Sequence, residues 1–326
     1  MGVLGAARIA PAAVVRPARA VPDVVVTAVA ARDRARAEAF AGRHGIPRVL
    51  PDYRSLVEDP DLDAVYIPLP NGLHGAWTTA ALAAGKHVLC EKPFTANVDE
   101  AMAVQQAAAR TPGLVVMEAF HYRYHPLFAR VRHLLEEGAV GTVRHVDTRL
   151  CFPLLRRGDI RWDLGLAGGA LMDAGCYTVH MLRHLAGVEP TVTAARARLA
   201  RPGVDRFLQA TYDLPGGATG RTTCSMRSTH LLDAGFTVAG DAGVIRVLNP
   251  LAPQVFHRVS VRTGGCRRVE RSVRRPTYEF QLEAFADAVL RGVAPVTGVD
   301  DAVANMAVID AVYRAAGLEP RVPSVV

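Results

Sequence analysis

From Gly2 to Phe120 the chain alternates short apolar, β-branched runs with stretches of helical spacing. That rhythm limits its fold more than any other feature of the sequence. "GVLGAARIA" runs from an apolar segment into a glycine turn, and "VVVTAVAA", residues 24 to 31, predicts a buried strand. "RDRARAEAFAGRHGI" predicts a helix with Gly45 as its C-cap. "DAVYIPLP" is a further strand, "GAWTTAALAAG" a helix closed by Gly85, and "HVLCE" a strand. "NVDEAMAVQQAAAR" is a helix capped by Asn97, and "LVVMEAF" a last strand. Strand and helix alternating in this way predict a doubly wound parallel sheet with right-handed crossovers.

After about residue 120 the pattern changes. "HPLFARVRHLLEEGAVG" and "GGALMDAGCYTVHMLRHLAG" read as amphipathic helices. Residues 190 to 275 read as hairpin-linked strands, and two helices follow. The expected fold class is α/β: an N-terminal Rossmann domain, residues 1–120, followed by a C-terminal α+β domain, residues 121–326. The second domain is expected to carry a mostly antiparallel open sheet.

Composition removes several function classes. Half of the 326 residues are hydrophobic, enough for two buried cores. No apolar run reaches the roughly 18 residues of a membrane span, and no secretory leader is visible. A cytoplasmic protein without a membrane partner is therefore expected. The first strand is short, which leaves room for a few residues missing at the start. Five widely spaced cysteines without a CxxC pair argue for a reducing compartment and against a zinc site or any other metal. A net charge of +7 raises the question of nucleic acid, but 31 acidic residues are scattered among the basic ones, so no nucleic-acid partner is expected. The densest run, "RRVERSVRR", reads as a solvated strand face, with an anion-binding surface as the other reading.

Four places carry chemistry. "GAARIA", residues 5 to 10, is a degenerate GxGxxA with Ala7 at the middle glycine, readable as a dinucleotide turn or as a generic tight βα turn. At the tip of the second strand, Arg32 suits a 2′-phosphate, whereas Asp33 could reach a ribose hydroxyl. In "DAGCY", Asp173 and Tyr177 lie four apart and His180 seven from Asp173, so they share a helical face. That set reads either as an Asp cap with a core Tyr or as functional groups. Finally, the only lysines, Lys86 and Lys92, both fall in "GKHVLCEKPF", in a chain that otherwise writes positive charge as arginine. Lysine can be titrated where arginine cannot.

Taken together, "GAARIA", "YIPLPNGLH", "AGKHVLCEKPF", "YRYHP" and "GGALMDAGCY" resemble the glucose–fructose oxidoreductase / inositol dehydrogenase (Gfo/Idh/MocA) family, in its dihydrodiol and xylose dehydrogenase branch. The resemblance implies an NADP(H)-dependent oxidoreductase, with NAD as the other cofactor. Its substrate would be a secondary alcohol or hemiacetal carbon of a sugar or cyclic diol. It implies Lys92, Tyr177 and Asp173 as catalytic residues, with Lys92 and Tyr177 as the acid–base pair, and Lys86 as a surface lysine without a catalytic role. Gly5, Ala7, Arg8, Ile9, Arg32, Asn71, His74, Glu91 and Lys92 would bind the cofactor. For His74 the residues alone also allow a plain helix N-terminal position. Arg123, Trp162, Asp173, Tyr177 and His180 would line the substrate site, with His125 nearby and His180 in a supporting role. His121 departs from the Met or Trp that relatives often carry. The second domain would mediate a homo-oligomer, a dimer or tetramer. Two other readings remain: a ketoreductase on a nucleotide-linked deoxysugar or secondary metabolite, and a non-catalytic dinucleotide-sensing regulatory protein.

Overall fold

The computed structural model describes residues 1–156, 158–229 and 231–325. They divide into two compact units. The first unit is built on six parallel strands, β1 (Gly2–Leu4), β2 (Ala28–Ala30), β3 (Arg48–Val49), β4 (Ala64–Ile67), β5 (His87–Cys90) and β6 (Val116–Glu118), in the order β3-β2-β1-β4-β5-β6. Helices α1 (Arg34–His44), α2 (Tyr53–Val57), α3 (His74–Ala83) and α4 (Val98–Ala109) connect them. β1, β2, β4 and β6 are buried throughout because both faces are covered, so their side chains need no polar alternation. Caps fall where the sequence places them. Gly45 ends α1 in a left-handed conformation (φ 71°), and the Asn97 side chain accepts the Glu100 N–H at the start of α4.

Three local expectations change. The strand expected over residues 24–31 shrinks to Ala28–Ala30, because β1 offers it only three partners, Gly2 to Leu4. The helix that a βα turn at "GAARIA" would open is instead a π turn, Pro11–Val15, followed by a 3₁₀ turn, Pro17–Arg19. Lys86 is no surface residue. It is buried, and its ammonium donates to the Asp59 carbonyl at 2.7 Å.

The first unit also extends past residue 120. It runs through His121 and takes in residues 278–303 and 323–325. The reason lies at its edge strand. The Glu118 N–H donates to the Thr297 carbonyl at 2.8 Å, and the Thr297 hydroxyl to the Glu118 carbonyl at 2.7 Å. Backbone groups that β6 would leave open are thereby closed by a segment 179 residues away.

The second unit is an eight-stranded sheet: β7 (Val143–Cys151), β8 (Thr191–Arg201), β9 (Val204–Leu214), β10 (Ala218–Ser225), β11 (Asp233–Gly240), β12 (Gly243–Leu248), β13 (Arg258–Thr263) and β14 (Cys266–Glu270). Their order is β14-β13-β12-β11-β7-β10-β9-β8, and only β7 and β10 pair in parallel. "RRVERSVRR" is a strand only as far as Glu270, on the exposed edge strand β14. Helix α5 (Pro126–Glu136) precedes the sheet, and α6 (Cys176–Ala186) packs on β7 and β10. Gly220 permits that approach, since a Cβ there would stand 2.8 Å from Leu182. α7 (Thr277–Arg291) and α8 (Val299–Ala315) close the chain.

Candidate active site

In the first unit the strand order reverses at β1, which lies between β2 and β4, and crevices for ligands form at the carboxyl ends of strands around such a reversal. The expected cofactor residues collect at those ends. Gly5 follows β1 with φ 110°, which side-chain-bearing residues avoid, and its N–H donates to the Ala30 carbonyl at 2.7 Å. Ala7 is half-buried, while Arg8 and Ile9 are exposed at the turn. Arg32, beyond β2, is exposed. Asp33 beside it caps α1, its Oδ1 accepting the Arg36 N–H at 3.1 Å. Tyr53, which the sequence reading did not single out, belongs to this turn. Its hydroxyl stands 3.8 Å from a Cβ built on Gly5, burial raises its pKa, and a hydrogen bond with the Arg32 backbone opposes that rise.

Asn71 lies half-buried in a 3₁₀ turn, Asn71–Leu73, after β4. His74 is 1% exposed. Its Nδ1 lies 2.7 Å from the Pro93 carbonyl and its Nε2 2.8 Å from the Leu69 carbonyl. A neutral ring can donate to only one of them. Burial nevertheless pushes its pKa down to about 4, with the two carbonyls opposing and the Lys92 charge adding to the fall. His74 therefore packs between two loops of the site and donates to one of these carbonyls. Glu91 is buried after β5 and accepts the Tyr66 hydroxyl at 2.6 Å. Lys92 is half-buried and precedes Pro93 through a cis peptide.

In the second unit, a π turn, Leu171–Gly175, leads directly into α6, and Asp173 lies within it. The sequence reading treated the segment as one α-helix. The wider turn contains Asp173 and ends just before Tyr177, so a face drawn at 3.6 residues per turn does not describe this stretch. Asp173 pairs with Arg161 (3.3 Å), which also pairs with the buried Asp159 (2.9 Å). Arg161 was missed, although it stands in "IRWDLG" beside Trp162, which was singled out. Tyr177 is 7% exposed, its ring centroid 6.1 Å from that of Tyr122. The Tyr122 hydroxyl makes a short hydrogen bond with Nδ1 of the fully buried His180. Arg123 lies over the Phe128 ring, and His125 caps α5 by accepting the Leu127 N–H at 3.1 Å. A cleft of about 590 Å³ is lined by Trp162, Arg201, Arg206, Arg227, Ser228 and Thr229, among others.

Residues 1–120 match the family model described as oxidoreductase family, NAD-binding Rossmann fold, and residues 128–246 match the GFO/IDH/MocA C-terminal domain. The chain belongs to the Gfo/Idh/MocA oxidoreductase family. It is 38% identical to D-xylose 1-dehydrogenase (NADP(+)) 2 of Haloferax volcanii, over 97% of this chain and 96% of that protein. It is 33% identical to a dTDP-3,4-didehydro-2,6-dideoxy-alpha-D-glucose 3-reductase of Actinomadura kijaniata, over 97% and 95%. The structure of the 3-ketoreductase KijD10 from Actinomadura kijaniata, in complex with NADP and TDP-benzene, superposes with a TM-score of 0.90 at 31% identity, covering 96% of each chain.

Membership in the family makes this chain an oxidoreductase and agrees with a fold of one parallel and one mostly antiparallel sheet. Among the described residues, no helix is long and apolar enough to cross a membrane. All five cysteines are free thiols, and burial pushes the pKa of Cys90, Cys151 and Cys224 up, which keeps them protonated.

Proposed function

We propose that the protein is an NADP(H)-dependent oxidoreductase that moves a hydride between nicotinamide and a secondary alcohol, hemiacetal or matching carbonyl carbon of a sugar or cyclic diol. The observation that carries this reading is the tip of β2. Arg32 is exposed there, and the Asp33 carboxylate is already engaged in capping α1. A guanidinium at that position suits a 2′-phosphate, and the glycine turn at Gly5 suits a nearby pyrophosphate. NADP bound there would supply or accept the hydride. Around it, Asn71 and the Glu91–Lys92 loop follow neighbouring strand ends, and the His74 ring lies between the Leu69 and Pro93 carbonyls of those loops.

The rest of the reaction is proton traffic. Hydride leaves an alcohol carbon readily only if its oxygen loses a proton at the same time. Tyr177 takes that proton as phenolate and returns it when a carbonyl is reduced. A tyrosine left to itself has a pKa near about 10, and an ammonium favours the phenolate. Lys92 is assigned that task. Asp173, paired with Arg161, grips a second substrate hydroxyl. Lys92→Met and Tyr177→Phe should each lower kcat by roughly 10²- to 10⁴-fold, and Tyr177→Phe should leave NADPH affinity intact.

A second reading has its own support. The cleft beside Trp162 carries Arg201, Arg206 and Arg227, which suit the phosphates of a nucleotide-linked ketosugar better than a free sugar. Both readings are tested together. NADPH and NADH are titrated by nicotinamide fluorescence against the wild type and Arg32→Ala. Turnover is then measured on aldoses, cyclic diols and nucleotide-linked ketosugars. Preference for NADPH that disappears with Arg32→Ala supports the cofactor assignment, and tighter binding of NADH overturns it. The substrate panel decides between free and nucleotide-linked sugars. Folded protein that binds neither dinucleotide would refute both.

A further inference from the structure

A buried ion pair lies behind the π turn that carries Asp173. Arg321 and Asp205 meet at 2.7 Å, with side chains 2% and 0% exposed. Each ends on the backbone of one short segment. Arg321 Nε donates to the Gly168 carbonyl at 2.8 Å, and Asp205 Oδ2 accepts the Leu171 N–H at 2.7 Å. The Tyr313 hydroxyl donates to Asp205 Oδ1 at 3.1 Å, and the Arg321 guanidinium lies 4.2 Å from the Tyr313 ring centroid.

Between the two anchored groups lies Gly169. Its N–H donates to the Arg161 carbonyl and its carbonyl accepts the Asp173 N–H, both at 3.0 Å. Arg161 and Asp173 are the two partners of the ion pair described above. Gly169 has φ 136°, and a Cβ on it would stand 2.2 Å from Asp205 Oδ1 and 2.7 Å from Arg321 Nη2. The missing side chain is what lets the buried pair reach the turn.

We propose that Asp205 and Arg321 are positioning residues. They clamp the Gly168–Gly169 turn and so fix the backbone from which Arg161 and Asp173 meet. Stability alone gives a poor account of the pair. Buried ion pairs are often no more stabilising than apolar side chains of similar volume. The directions of the hydrogen bonds give a better one, because both charged groups end on the turn. The inference rests on the proposed role of Asp173 and deepens it.

The test compares Asp205→Asn, Arg321→Met and the double variant, reading melting temperature, kcat and KM, dinucleotide affinity, and amide hydrogen exchange at Leu171 and Asp173. Each single variant leaves one buried charge alone and should melt earlier. The double variant removes both charges and should recover most of the melting temperature. Its kcat should stay roughly 10- to 100-fold low, the scale of a small misplacement of a reacting group, with NADPH affinity unchanged. The Leu171 and Asp173 amides should exchange faster than in the wild type. A double variant with wild-type kcat, or with wild-type protection at both amides, overturns the proposal. Should the double variant fail to fold, Arg321→Lys keeps the charge but loses the two-pronged geometry, and the same losses of kcat and protection are expected from it. If the wild type turns over no sugar at all, the proposed function fails, while hydrogen exchange still decides whether the clamp holds the turn.

Discussion

The His74 ring gives the sharpest prediction, because two physical effects oppose each other there. Two carbonyls within 2.8 Å favour the imidazolium, and burial at 1% exposure favours the neutral ring. Burial wins, taking the pKa from the ordinary 6.5 to about 4. The unfolded chain then binds the proton more readily than the folded one between those values. Stability is full above pH 6.5 and falls as the pH drops towards 4. At about 1.4 kcal/mol per pH unit, the contribution of this one ring is about 3 kcal/mol. The comparison is with His74→Gln, which stays neutral throughout and can still donate to one carbonyl. Urea unfolding between pH 4 and 7.5 is followed by the fluorescence of Trp77, which lies on the same helix as His74, in a Trp162→Phe background. The wild type should lose roughly 3 kcal/mol more than the variant on going from pH 7 to 4. A difference of the opposite sign would refute the reasoning and show that the two carbonyls hold the ring charged. So would a ring that titrates above 6.5 by NMR.

Three further outcomes follow from named contacts. Lys86→Met strips the buried Asp59 carbonyl of its donor, so it should cost about 2 kcal/mol by chemical denaturation and leave kcat unchanged, unlike the same change at Lys92. Gly5→Ala forces a side chain into a φ of 110° and to 3.2 Å from Leu69. It should cost about 1–3 kcal/mol and weaken the thermal shift given by NADPH. Asp33→Ala removes the cap of α1, at about 1 kcal/mol, and should leave the preference between NADPH and NADH where it was. A reversal of that preference would make Asp33 the selector.

What the sequence reading could see follows from the range of the interactions. Alternating apolar runs and caps such as Asn97 and Gly45 are local signals, and they placed the strands of the parallel sheet and the helices between them within a few residues, except β3 and α2. The short β2 was illegible because its length is set by β1, a partner elsewhere in the chain. The same holds for Thr297 on the edge of β6, for Tyr53 beside Gly5, and for Arg321 beneath Gly168. Each is a contact between residues distant in sequence, with no periodicity to announce it. Lys86 misled for a related reason. A lysine in a "GKH" turn reads as solvated, and only the fold shows the Asp59 carbonyl waiting for it. Asp173 and Tyr177 were picked out by their residue types, whereas Arg161 was hidden because an arginine is unremarkable in a chain with so many.

The closure of β6 by Thr297 also sets an order on the making of this molecule. Residues 1–120 hold all six strands of the first sheet, yet its edge is finished by a segment that a ribosome reaches only 179 residues after Glu118. Until then the nascent chain carries an open strand edge, the kind of surface that recruits other strands. A fragment cut at the end of the Rossmann signature would keep that edge open permanently. The segment that protects the first-made part of the chain is thus made long after it.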